Sequence, residues 1–364
     1  MFYFIVLFLG ILFSFNYGVK YNEKHSSAEI NNIKIGVVFF LYACVLCLHS
    51  VYVGTDTLNY SRIFRLIGKT GIKNIHKLEI YGKAPLWTLI MKFVSTLLGS
   101  STNVYIFISG LLVILPLVYA LKLLGEDTKA SLTLYYILFL LPAMNGTRTA
   151  IAVAFFFLGI AFLYRKNIWA SLVTLVMAFF IHKTVITAFP ICLIFFKKID
   201  IRVFAVMVVV FIGAMFFLDR FVEMFASHFT EYEDSIASNR NFTVGGKNVV
   251  YQIGYLLTAV YAVLVLRTKK LDSAVKDKIY KFSAVCVLEM AIAVVGMQSW
   301  YLIRINNYYQ IFIIALIPMV FKYKKSCRNI ILIIILSVFV FGFFYRIYTN
   351  AGDIYPYTTF LFNS

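Results

Sequence analysis

Charge is scarce in this chain of 364 residues, and acidic charge is scarcer still: charged residues make up 14% of it, and 16 Asp and Glu face 34 Lys and Arg. A soluble domain carries about 25% charged residues, so the deficit argues against a surface that meets water on all sides. Proline is thin as well, six in all, which leaves long stretches free to continue as helix. The cysteines build no framework. Cys44, Cys47, Cys192 and Cys286 lie inside apolar runs and Cys327 in a basic loop, so neither a disulfide scaffold nor zinc-ligand spacing is present. A phosphate-cradling glycine-rich loop and a cluster of metal-ligating side chains are also missing, so the sequence asks for no cofactor and no metal. The basic excess is scattered over short loops and forms no stripe, which speaks against nucleic acid as a partner.

What the chain has in abundance is hydrophobic residues, 62% of the total. Runs approaching the ~20 residues of a bilayer crossing occur near 2–18, 35–53, 104–122, 131–147, 148–164, 167–182, 184–197, 202–218, 249–266, 282–299, 304–321 and 329–346. The first lacks a basic leader and a small-residue cleavage site, so it reads as a retained span. The pattern predicts an all-α polytopic integral membrane protein, one membrane domain over 1–364, with about 12 transmembrane helices. The segment APLWTLIMKFVSTLLGS, 84–100, is short and carries Lys92 near its middle, which predicts a re-entrant or interfacial helix.

Loops at 19–34, 122–130, 165–167, 197–202, 267–281 and 322–328 hold the larger share of Lys and Arg, so the positive-inside rule puts them in the cytoplasm. Both termini and two large loops, 54–103 and 219–248, then face outward. Taking 84–100 as a true crossing reverses the first segments, and that alternative stays open.

The polar groups gather on the outer side. Arg148 opens an apolar helix after Asn145-Gly146-Thr147, either as an anchor in the headgroups or as a planar donor fork that grips a phosphate. His182 and Lys183 stand between two short apolar runs and supply a second cationic spot at the same depth, with a structural hydrogen-bonding histidine as the alternative. Arg304, Asn307 and Tyr308 recur at i, i+3 and i+4 and share one helical face, suited to a sugar or diphosphate or else to an aromatic belt with one anchor. The loop VGTDTLNYSRIF offers Asp56 as a proton acceptor and Arg62 as a binding group, where Gly-Thr-Asp alone is also a turn signal. Loop 219–248 adds Glu223, Glu231, Glu233, Asp234 and Arg240.

The order GTDTLNY, APLWTLIMKFV, NGTRTAIAVAFFFLGIAFLYRK, FFIHKTVITAFP and IRINNYYQIFIIALIP, spread over residues 50–320, resembles the EpsG/Wzy-type polymerases of bacterial O-antigen and exopolysaccharide synthesis. Their counterparts are a Gly-Thr-Asp-Tyr loop, a Glu-Pro-Gly segment, an Ile-Arg-Gln helix start, a Phe-His turn and an Arg-x-x-x-Tyr ending before Ile-Pro. Thr57, the stretch Gly82-Lys83-Ala84-Pro85 and Thr149 depart from that pattern.

The resemblance implies a polymerase in the bacterial inner membrane, acting on the periplasmic face. It would move a growing glycan from one undecaprenyl diphosphate carrier to the terminal sugar of the next lipid-linked repeat unit. Its partners would be that lipid-linked oligosaccharide, the membrane lipids, a chain-length regulator and a flippase. Arg148, Lys183 and Arg304 are then candidates for the departing diphosphate, and Asp56 or His182 for the base, with the acidic residues of 219–248 behind them. A flippase for the same lipid would place polar residues at the midplane of several helices, where this sequence offers little beyond Glu289. A membrane acyltransferase or glycosyltransferase that modifies the polymer is the third reading.

Overall fold

The computed structural model describes residues 2–14, 24–196, 198–216, 247–267, 271–296, 300–322, 329–350 and 352–361. Among these the chain is helices and connecting turns, and the only extended pairing is one antiparallel bridge, His49 with Thr359. The helices are α1 (Phe2–Ser14), α2 (Lys24–Cys47), α3 (Thr57–Lys69), α4 (Glu79–Lys83), α5 (Pro85–Leu98), α6 (Thr102–Leu124), α7 (Thr128–Tyr135), α8 (Leu141–Asn145), α9 (Thr147–Tyr164), α10 (Ile168–Ile181), α11 (Pro190–Phe196), α12 (Ile201–Phe216), α13 (Lys247–Arg267), α14 (Ser273–Gly296), α15 (Trp300–Gln310), α16 (Ile313–Lys322) and α17 (Asn329–Tyr348).

Among the described residues each apolar run overlaps a helix or a pair of helices. Three stretches, Thr102–Leu124, Thr147–Tyr164 and Ile330–Tyr348, are long and apolar enough to cross a membrane by length and composition. Other runs are broken. The run at 131–147 divides into α7 and α8 at a π-helical turn, Tyr136–Leu140, just before Pro142. Arg346 Nη1 reaches the Leu138 carbonyl in that turn at 3.1 Å. The run at 184–197 begins as a 3-10 turn, Lys183–Ala188, before α11.

Helix boundaries follow from side chains that replace missing backbone partners. Ser101 accepts from Val104 N, Asp127 from Lys129 N and Ala130 N, and Asn167 from Ala170 N. Ahead of α12, Asp200 Oδ1 accepts from Arg202 N at 2.9 Å and Val203 N at 3.0 Å. Those bonds, Val203's first, hold the Asp200 carboxyl below its ordinary range. Gly125 ends α6 in the left-handed conformation, φ 69°.

The chain divides into two compact units, Met1–Lys183 with Phe343–Ser364, and Thr184–Gly342. In the first, α9 packs against both α6 and α10, and α9 and α10 form an antiparallel hairpin through 165–167. Gly159 permits that closeness, since a Cβ there would stand 2.8 Å from Leu175.

The stretch 54–103, read from sequence as a large loop, is itself mostly helix: α3, a 3-10 turn at Ile72–Lys77, α4 and α5. Helix α5 has 14 residues, about 21 Å at 1.5 Å per residue, and is too short for a hydrocarbon core of about 30 Å. It buries Trp87, Met91 and Val94 and exposes Leu89, Phe93 and Leu97, at i, i+4 and i+8. Lys92 is accommodated because its Nζ donates to the Gly68 carbonyl near the end of α3, at 3.0 Å.

In the second unit α14 packs against α12, α13, α15 and α16. Phe195, Phe282 and Phe312 form an aromatic core there. Asp277 pairs with Lys281 at 2.7 Å and accepts from Ile199 N at 2.8 Å, which fixes the approach to α12.

Sidedness is tested best at exposed positions. Asn59 is exposed on α3 and Ser273 is exposed at the start of α14, whereas Ser61 is buried and unsuited to labelling. In a Cys-free background, Asn59→Cys should react with an impermeant thiol reagent in intact spheroplasts and Ser273→Cys should react only after lysis. The opposite pattern would place the 54–103 helices in the cytoplasm.

Candidate functional site

The turn Gly54-Thr55-Asp56-Thr57 meets the block Asn145-Gly146-Thr147-Arg148 directly. Asn145 Oδ1 accepts from Thr55 Oγ1 at 2.7 Å and from Asp56 N at 2.9 Å. Thr57 Oγ1 lies 2.7 Å from the Val53 carbonyl and 3.1 Å from the Met144 carbonyl. Gly54 sits at φ +91°, and a Cβ there would fall 3.1 Å from Asn145 Cα and from the Met144 carbonyl oxygen. Only glycine meets both demands, a left-handed backbone and no volume.

The C-terminal segment closes the turn from another direction. Gly54 N donates to Asp353 O at 2.9 Å, Thr55 N to Gly352 O at 3.2 Å and Ser50 N to Thr358 O at 2.8 Å. Tyr3 Oη donates to Ile354 O at 2.7 Å, so α1 holds the same segment.

On this platform stands Arg148, in the first turn of α9. Its guanidinium carbon lies 5.8 Å from the centre of the Tyr60 ring, a cation–π contact with a residue of the GTDTLNY block. Trp87 of α5 meets the other partner-free edge of this aromatic group, 6.1 Å from Tyr60 in a T-shaped contact. Arg148 Nε and Nη1 are buried, and among the described residues neither has a hydrogen-bond partner. The same holds for Trp87 Nε1. Tyr105 is within electrostatic reach of Tyr60 and Arg148, beside the hydroxyls of Thr147 and Ser109.

Close by runs a narrow crevice too thin to seat a water molecule. His49, Thr57, Tyr105, Ser109 and Thr147 line it. A buried guanidinium N–H without an acceptor costs about 1–3 kcal/mol or more. A group of unpaired donors around one fixed positive charge is therefore matched to an anion rich in acceptor oxygens.

Asp56 precedes α3 at its N-cap position, half-buried, with no side-chain bond to the helix's own N–H groups. Arg62 is exposed on α3. His182 caps α10 and is buried, and Lys183 after it is exposed. Because α9 and α10 are antiparallel and joined by a short turn, Arg148 and His182 lie at the same end of the hairpin, within about one helical turn along its axis. Arg304, Asn307 and Tyr308 belong to α15, in the other unit. Asn307 is half-buried, and Tyr308 is fully buried with its hydroxyl 3.1 Å from Thr184 Oγ1. Arg240 and the acidic residues Glu223, Glu231, Glu233 and Asp234 lie outside the described residues.

His49 is a residue that motif reading passes over. Its Nδ1 stands 2.9 Å from the Ser50 carbonyl. A carbonyl only accepts, so Nδ1 carries the proton and a neutral ring presents Nε2 as an acceptor. The available signal was position, five residues before Gly54. Tyr105, Ser109 and Trp87 had no signal, since each reads as one more residue of an apolar helix.

A family model described as the EpsG family matches residues 32–359 of this chain. The match takes in every block named above and, with the apolar helices, marks the chain as a membrane protein. No curated protein and no solved structure matches it.

The grip of Asn145 on the Gly-Thr-Asp turn has a measurable consequence. Asn145→Ala leaves Asp56 N–H without its acceptor and Gly54→Ala forces a Cβ against Asn145, so each should cost about 1–3 kcal/mol. Thermal unfolding in detergent reads this as a lowered midpoint, and an unchanged midpoint for both variants would show that the contact carries no stability.

Proposed function

The chain belongs to the EpsG family, and from that membership we propose that it is a polymerase of lipid-linked glycan repeat units in the bacterial inner membrane, acting on the periplasmic face. The observation that carries this reading is the group of unpaired buried donors around Arg148. The donor substrate leaves as undecaprenyl diphosphate, whose negative charge grows as the glycosidic C–O bond breaks. Arg148 Nε and Nη1 are oriented and desolvated before the reaction, so they bond that charge with little reorganisation. The start of α9 adds the positive end of its helix dipole.

The acceptor sugar hydroxyl attacks the anomeric carbon and gives its proton to a base. Asp56 and His182 are the candidates by sequence, and His49 joins them because its Nδ1–H is already engaged by Ser50. Lys183, Arg62, Arg240, Asn307 and Tyr308 are the substrate-binding candidates, with Arg304 as a second diphosphate donor. The reading asks for no cofactor. One observation favours a second reading as a carrier of the same lipid: Glu289 is buried among apolar helices with Asn306 and Gln310 bonded to it.

Polymerisation of purified lipid-linked repeat units decides between them. Removing a donor that bonds mainly to developing charge costs about 100- to 1,000-fold in rate. Arg148→Ala should lose that much at normal protein level, while Arg202→Ala, an exposed residue at the start of α12, should run at the wild-type rate. A wild-type protein without polymerising activity would favour the carrier, and an active Arg148→Ala protein would reduce Arg148 to an anchor. At Arg304 a planar fork bonds a diphosphate twice and an ammonium does not. Arg304→Lys should therefore lose most of the rate with charge retained, and a fully active Lys variant would make that residue a membrane anchor.

A further inference from the structure

A second group of unpaired buried atoms lies in the unit Thr184–Gly342, and its chemistry is the reverse of that around Arg148. Glu289 of α14 is fully buried. Its Oε1 accepts from Asn306 Nδ2 at 3.0 Å and from Gln310 Nε2 at 2.8 Å, two donors one turn apart on α15. Gln252 of α13 reaches the same carboxyl with its amide. Glu289 Oε2, Asn306 Oδ1 and Gln252 Oε1 are all buried and, among the described residues, all without a hydrogen-bond partner. Every one of these three atoms is an oxygen, and the side chains that carry them are each more than nine-tenths buried.

Charge makes the same demand. Two ion pairs occur among the described residues, Lys83 with Glu79 and Lys281 with Asp277, and neither involves Glu289. Among the described residues the Cys286 thiol, one turn earlier on α14, lies within electrostatic reach of the carboxyl.

We infer that Glu289, Asn306 and Gln252 form a binding site for a monovalent alkali cation. Hard carboxylate and amide oxygens are the ligands such ions take. One carboxylate balanced by one positive charge leaves the apolar interior neutral, whereas a divalent ion would leave an excess charge there. A proton on Oε2 would satisfy at most that oxygen and one amide oxygen, whereas a cation could take all three as ligands. The ion would join α13, α14 and α15 at a single point. The site rests on neither reading of the function and requires no contact with the glycan.

The test uses the full-length protein in detergent at constant ionic strength, with sodium chloride exchanged for N-methylglucamine chloride. Radioactive sodium should bind the wild type saturably and raise its thermal midpoint. Gln252→Leu, which keeps the carboxylate, should bind at least ~10-fold more weakly. Glu289→Gln should fold, bind no sodium and show a midpoint indifferent to it. If Glu289→Gln fails to fold, the Gln252→Leu measurement decides alone. Absence of sodium binding to the wild type overturns the site, and so does a stabilisation reproduced by lowering pH without sodium, which would make Glu289 a buried neutral acid.

Discussion

The carboxamide of Asn145 is the contact on which the rest of the candidate site depends. One side-chain oxygen takes both the Thr55 hydroxyl and the Asp56 backbone N–H, so the turn after α2 and the start of α9 become one structural piece. Arg148 follows three residues later and inherits its position from that joint. The C-terminal segment closes on the same turn through backbone bonds, and α1 holds that segment through the Tyr3 hydroxyl. An arginine on a helix that frayed or shifted would find water or a headgroup. Held here, two of its nitrogens stay buried and unpaired, which is costly unless something else accepts their hydrogens.

Two sets among the unpaired buried atoms of the described residues differ in chemistry. Around Arg148 they are nitrogen donors, and around Glu289 they are oxygens. Buried polar groups without partners are rare because each forfeits its bonds to water. The two sets differ in character, one of donors around a guanidinium and one of oxygens around a carboxyl. The aromatic residues serve the first group: Tyr60 offers its face to the guanidinium while Trp87 packs against Tyr60.

Much of this molecule was legible in the residue order. Hydrophobic runs located the helices, because a segment that avoids water must satisfy its backbone internally. The blocks that carry Asp56, Arg148 and His182 were visible too, and the family they imply is the one the chain matches. That 54–103 is helical was less plain, since α3 and α4 are too polar to show as apolar runs.

Tertiary structure decided what no run or spacing encodes. The meeting of residues 55 and 145 joins positions 90 apart, and local periodicity carries no information about such a contact. Whether a polar atom finds a partner is likewise a property of neighbouring helices: Tyr105, Ser109 and Trp87 read as ordinary helix residues until packing leaves their polar atoms buried. Gly54 reads as a turn residue in sequence, and its real constraint, 3.1 Å from Asn145 Cα, exists only once α8 has docked against the turn. The sequence by itself determined which segments leave water and which residue types accompany them; three-dimensional packing alone determined which polar atoms are buried without a partner among the described residues.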